Sequence, residues 1–144
     1  MSAYRAQAHL DAPLAEVWAL VGNPATYPDW WPVAVEIRGD TFEVGDVFHQ
    51  VVGVAGRPEY NRIIDRRDEL KELRWHCPTT GGYQHWLLTD AQGGTFVDME
   101  MGIEDPKSSR FALFDKTVGR WFIKRWAEQA IDGLRRTLPS SAAS

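Results

Sequence analysis

The chain has 144 residues, 44% of them hydrophobic and 25% charged, with a formal net charge of −4. That is one domain of ordinary globular composition, long enough to bury a single sizeable core. An acidic balance without a dense Lys/Arg patch excludes electrostatic binding of nucleic acid, and the single cysteine excludes an internal disulfide.

Residues 3–10 alternate Tyr4, Ala6, Ala8 and Leu10 against Arg5, Gln7 and His9, which predicts a strand and interrupts any leader-like apolar run. From Asp11 to Val33 the pattern changes. Asp11 is placed to cap a helix and Pro13 suits its first turn, while Leu14, Val17, Trp18 and Val21 recur at helical spacing. Gly22-Asn23-Pro24 ends that helix, and Pro28 and Pro32 bracket Asp29-Trp30-Trp31 in a second short one. Strands are then predicted at about 33–38, 46–54, 59–66, 70–77, 83–89 and 95–103, separated by Gly-, Pro- and Asp-rich turns. From Pro106 to Leu138 the spacing becomes helical and Pro139 stops it, leaving 140–144 as a disordered tail.

Short turns between consecutive strands imply an antiparallel meander with one apolar face to cover. The last helix is long enough to cover it, with Phe111, Phe114, Val118, Trp121, Phe122, Trp126 and Ala130 as the expected apolar stripe. The expected fold is α+β: a curved seven-stranded antiparallel sheet around a long C-terminal helix, with two short helices between the first two strands. No apolar run reaches the roughly 18–20 residues that span a membrane. Without a leader or such a run, and with a lone Cys77, the expected location is cytoplasmic.

This order resembles the START-like or SRPBCC superfamily, the helix-grip fold of pollen-allergen-like and polyketide cyclase/dehydrase-type proteins. The resemblance spans about residues 3–138, as a single domain ending near 139. It is carried by Ala12-Pro13, Glu16-Val17-Trp18 and Tyr27-Pro28-Asp29-Trp30-Trp31-Pro32, with support from Val44-Gly45-Asp46, Arg74-Trp75 and Gly94-Thr95. The resemblance implies a deep cavity between sheet and last helix that takes lipids, sterols, polyketides or other apolar molecules. In a minority of members it also implies cyclisation or dehydration chemistry. None of these motifs is catalytic, so they speak to fold more than to chemistry.

Seven tryptophans point either to a bulky core or to an aromatic-lined cavity. The candidate ligand-binding residues are Trp30, Tyr60, Trp75, Tyr83, Trp86, Met99, Val118, Phe122, Arg125 and Gln129. Tyr27, Trp30 and Trp31 either form a lid at the cavity mouth or fill the core; Trp18 and Trp31 are expected in the core, and Trp30 partly exposed because neighbouring side chains rarely both point inward. Arg125 and Gln129 fall on the apolar stripe, where they hold the polar end of a ligand, or else Arg125 pairs with Asp115 or a sheet carboxylate or snorkels to the cavity mouth. His49, His85 and Tyr60 are candidate acid/base groups, and each also reads as a strand-surface or core residue. His76 is expected to face solvent and Cys77 to be a buried small hydrophobe. No His-x-x-x-His or Cys-x-x-Cys spacing occurs, so no metal and no other cofactor is expected.

Three functions follow. The first is binding, transport or sequestration of a small hydrophobic or aromatic ligand by a monomer or homodimer. The second is a polyketide cyclase or dehydratase using cavity His, Tyr and Arg groups. The third is a protein-interaction module of co-chaperone-like or toxin-like type.

Overall fold

A computed structural model describes residues 2–105 and 109–138. The expected stop at Pro139, the tail 140–144, the expected helix start at Pro106 and the side chain of Phe111 lie outside the described residues. The strands are β1 (Ser2–Leu10), β2 (Ala34–Arg38), β3 (Val47–Val52), β4 (Glu59–Asp68), β5 (Glu72–His76), β6 (Gly82–Ala91) and β7 (Gly94–Ile103). Among the described residues they form one antiparallel sheet in the order β1-β7-β6-β5-β4-β3-β2.

Turn chemistry sets the register of the longest hairpin. Gln92 and Gly93 join β6 to β7 with φ of 47° and 79°, the pair of left-handed residues whose twist matches the flanking strands. Irregular pairing at Ala34/Glu36 and Ile64/Arg66 accentuates the curl. Strict alternation then sorts the side chains. Phe48, Gln50, Arg62, Ile64, Leu73, Trp75, Gln84, Trp86, Met99 and Met101 are buried on the concave face, while charged residues hold the convex one.

The first and last strands pair, so β1 and β2 are the two edges of the sheet. The segment between them must therefore cross its full width. It does so as α1 (Leu14–Val21), a 3-10 turn (Pro24–Thr26) and α2 (Tyr27–Trp30). Pro13, not Asp11, occupies the N-cap of α1, and the Asp11 carboxylate instead lies 3.6 Å from His9. Asn23 caps the 3-10 turn by accepting from the Ala25 amide. Trp18 fastens α1 to the sheet, its indole N–H donating to Glu69 and the Arg67 guanidinium lying 5.3 Å from its ring.

The C-terminal layer comprises α3 (Ser109–Phe114), a π-helical turn (Asp115–Gly119) and α4 (Arg120–Thr137). A π turn inserts one extra residue into the helical repeat. That breaks the expected stripe, of which Ala130 is buried as expected but other members are not. The buried column runs Asp115, Gly119, Ile123, Ala127, Ala130, Ile131 and Leu134, whereas Val118 is 45% and Trp121 57% exposed.

Trp31 is buried as expected, and Tyr27 and Trp30 are buried with it, so Trp30 is not partly exposed and the three do not form an exposed lid. Helix α2 ends at Trp30, and Trp31 is extended (φ −118°, ψ 108°); this change of backbone turns two adjacent indoles to the same side. They seed an aromatic cluster. Trp30 packs edge-on against Trp86, Trp31 lies 6.5 Å from Trp75, and Phe48 meets Trp75 edge-on at 5.8 Å. Trp31 also donates its indole N–H to the Trp126 carbonyl at 3.1 Å, which ties α2 to α4.

Candidate functional site

The aromatic cluster fills only one end of the space between sheet and helix. At the other end lies a cavity of about 640 Å³. Its sheet wall is built from Tyr60, Arg62, Trp75, Gly82 and Met101, with Thr80 and Ile103 beside them. The turn after β3 (Val54, Ala55, Gly56, Pro58) forms one rim, and Arg110, Phe114, Ile123 and Trp126 close the helical side. The size suits a drug-sized molecule, and the mixture of aromatic and few polar groups suits binding more than mere packing.

Arg62 is the feature that departs most from a plain core. It is 8% exposed, on the middle of the concave face, and burial pulls its guanidinium below its ordinary pKa. Its Nε donates to Gln50 Oε1 at 3.0 Å, and Gln50 is itself anchored through its amide to the Val33 carbonyl. The guanidinium carbon stacks 5.0 Å from the Trp75 ring and 5.6 Å from Tyr60. Among the described residues no carboxylate lies within 4.0 Å of it, although Lys and Arg side chains make nine such pairs elsewhere. A buried cation without an anion retains unused hydrogen-bonding capacity toward whatever enters beside it.

Of the residues singled out from sequence, Tyr60, Trp75 and Tyr83 border the cavity. Burial raises the Tyr60 phenol above its ordinary pKa, which keeps it a neutral hydroxyl at the wall. Tyr83 turns its hydroxyl away, donating to Glu100 at 3.1 Å on the convex side, with Arg74 4.8 Å over its ring. Trp30, Trp86 and Met99 belong to the filled end; Trp86 donates to Gln84 at 2.8 Å. On the helix, Phe122 packs against Phe114 and Trp126 outside the cavity wall, Gln129 is half-buried, and Val118 is exposed. Arg125 is exposed and stacks 5.6 Å from Trp121, which removes it from the stripe and from Asp115. The π turn accounts for these helical displacements, because a phase carried across it at 3.6 residues per turn comes out one residue off.

His49 and His85 stand on the convex face. His49 contacts Glu59 at 2.7 Å and Asn61 at 3.1 Å; His85 contacts Glu72 at 2.6 Å. His76 shares that face and pairs with Asp65. These strands alternate, and the apolar partners Phe48, Trp75 and Trp86 take the inward positions. Arg62 and Gln50 were missed in the sequence, although a signal existed. Tyr60, Arg62 and Ile64 have one parity, so placing Tyr60 inward places Arg62 inward too.

The convex pairs carry a testable pH dependence. The hydrogen bond to Glu59 raises the His49 pKa, and that same bond lowers the Glu59 pKa. The histidine's contribution is full below its unfolded value of about 6.5 and fades as pH rises through its higher folded value. The Glu59 contribution is present above its unfolded value of about 4.3 and is lost as pH falls through its lower folded value. The stability deficit of His49→Gln is therefore largest near pH 5–6, roughly between those reference values, and shrinks at alkaline pH. Urea titrations of both proteins across this range check it; a deficit that grows toward alkaline pH would refute the assignment.

Comparisons with known proteins agree with this architecture. Residues 1–139 match the model of the family described as polyketide cyclase / dehydrase and lipid transport. Among solved structures, a START superfamily protein from Mycobacterium smegmatis is similar at 10% identity and a TM-score of 0.74, over 96% of this chain and 97% of that one. The protein XoxI from Bacillus cereus is similar at 13% identity and a TM-score of 0.72, over 96% of each chain. The Aha1 protein from Colwellia psychrerythraea, solved as a dimer, matches over the whole of both chains at 13% identity and a TM-score of 0.67. At these identities the structures attest the fold alone. No curated protein matches the chain significantly. A family match over residues 1–139, together with a seven-stranded helix-gripping sheet and a cavity between sheet and helix, makes the chain a member of the polyketide cyclase / dehydrase and lipid transport family.

Proposed function

We propose that the protein binds a small, mostly apolar or aromatic molecule bearing one anionic or strongly hydrogen-bond-accepting oxygen, and that it does so in the cavity between sheet and helix. The observation that carries this reading is Arg62, a buried guanidinium at the cavity wall without a carboxylate partner. Trp75, Tyr60, Phe114, Ile123, Trp126 and Met101 supply the apolar surround. Apolar contact with such walls is worth about 25 cal/mol per Å² buried, enough to hold a two- or three-ring molecule. The charge-assisted bond to Arg62 then fixes which end goes in first.

Matched pairs of ligands test this: an aromatic or long-chain carboxylate against its primary amide, and a polycyclic phenol against its methyl ether. Quenching of tryptophan fluorescence (Trp75 and Trp126 line the wall) and thermal shift report binding. The acid or phenol is expected to bind at least about tenfold more tightly than its neutral counterpart, the order of one charge-assisted hydrogen bond. Absence of binding across such a panel would sink the proposal, and equal binding of both members would remove the role of Arg62. Proton-transfer chemistry in this cavity would have to dispense with His49 and His85, which face away from it, and to rely on the Tyr60 hydroxyl.

A further inference from the structure

The segment whose inner side walls the cavity has an outer side unlike the rest of the molecule. Leu113 is 63%, Val118 45% and Trp121 57% exposed, three of the eight large hydrophobic side chains found at the surface among the described residues. All three sit within nine residues of α3, the π turn and the start of α4. The π turn brings them together. Its extra residue shifts the helical phase between Leu113 and Trp121, and Leu113, Val118 and Trp121 all end on the solvent side. A regular helix would have turned Val118 and Trp121 toward the sheet.

The charges around these residues have one dominant sign. Between Ser109 and Arg125 there are five Lys/Arg residues (Arg110, Lys116, Arg120, Lys124, Arg125) and one acid, Asp115, on a chain whose net charge is −4. Asp115 is buried, whereas Lys116, Arg120, Lys124 and Arg125 are exposed. Arg125 stacks on Trp121, and Lys124 lies 4.0 Å from Glu128, one turn further along on the same solvent side. Apolar side chains flanked by snorkelling cations, with an indole among them, are the chemistry of a helix that lies in the interface of an anionic bilayer.

We propose that the outer face of α3, the π turn and the first turns of α4 docks on an anionic lipid surface, inserting Leu113, Val118 and Trp121 between headgroups contacted by Lys116, Arg120 and Arg125. This brings one wall of the cavity (Arg110, Phe114, Ile123, Trp126) to the membrane, where apolar molecules partition. Docking through this surface does not depend on what the cavity holds, and its test needs no cavity ligand.

The intact protein is sedimented with vesicles of phosphatidylcholine alone or mixed with phosphatidylglycerol, at low and high salt. Binding to the mixed vesicles is expected at low salt, weakening at high salt and on neutral vesicles. Lys116→Gln/Arg120→Gln is expected to weaken it by about 25-fold, on the basis of about 1 kcal/mol for each cation near such a surface. Trp121→Ala is expected to weaken it by about tenfold through lost apolar insertion. Both sets of positions are exposed, so unchanged melting temperatures will confirm that the fold is kept. Absence of binding to the mixed vesicles, equal binding to neutral ones, or variants that bind like the parent each overturn the proposal.

Discussion

Gly133→Ala is expected to destabilise the protein by at least about 3 kcal/mol, although alanine is the better helix former by about 1 kcal/mol. A methyl group at Gly133 would lie 1.7 Å from the Trp30 carbonyl oxygen and 2.8 Å from its carbon. Both are backbone atoms, so no rotamer can relieve the overlap. Helices α2 and α4 would have to separate. That movement stretches the Trp31–Trp126 hydrogen bond and opens the packing of Trp30 on Trp86. In a domain of this size the expected loss is a fall of roughly 10 °C in melting temperature. Asp132→Ala, one residue away and exposed, is the control and should stay within about 0.5 kcal/mol of the parent. A Gly133→Ala protein that melts within two or three degrees of the parent, on the scale of about 1 kcal/mol, would show that the two helices are not in backbone contact.

Arg62→Met separates ligand recognition from stability, because its two effects have opposite signs. Ligand affinity falls and the empty protein gains. For a ligand that presents a carboxylate or phenolate to the cavity, loss of the buried guanidinium is expected to weaken binding by at least about 30-fold, the low end of truncating a buried charged partner. For the empty protein, methionine fills a similar space without the desolvation of a buried cation. The partial offset is Gln50, whose Oε1 loses its donor at a cost of about 1 kcal/mol. The net expectation is a protein as stable as the parent or more stable by about 1 kcal/mol. Adding Gln50→Leu removes the orphaned amide and should make the gain clear. Arg62→Lys keeps charge but loses the planar fork that stacks on Trp75, and should fall between the two in affinity. Denaturant melts and ligand titrations on the same samples measure both effects. If Arg62→Met lost several kcal/mol of stability, the guanidinium would be a structural strut and the ligand role would fall.

The two substitutions probe the two halves of one space. Gly133 belongs to the filled end, where six aromatic rings from Tyr27 to Trp86 leave no room. Arg62 belongs to the hollow end, where Tyr60, Trp75, Phe114 and Trp126 line the wall without filling it and glycines 82 and 102 carry no side chain into it. The tryptophan-rich segment between β1 and β2 therefore plugs the filled end of the grip and is not the lid of the open one. The open end is closed instead by α3 and by the turn between β3 and β4.

The sequence by itself determined the elements and their order. Period-two alternation, the Gln92-Gly93 turn and the proline and glycine breaks act over a few residues, and local sterics fix their outcome. Each of the seven strands is accordingly found within a few residues of where the pattern places it. Tyr60 and Trp75 were legible as cavity residues for the same reason, since strand parity carries over distance without drift. Helical phase does not carry over in that way. A single π turn at Asp115–Gly119 rotates all that follows, and it sent Val118, Trp121 and Arg125 outward and brought Ile123 inward. Which end of the grip is packed and which is hollow was likewise decided only in three dimensions. That outcome depends on the Trp31 indole meeting the Trp126 carbonyl, 95 residues away, and on Trp30 resting against Gly133. Neither contact leaves a mark on any local pattern.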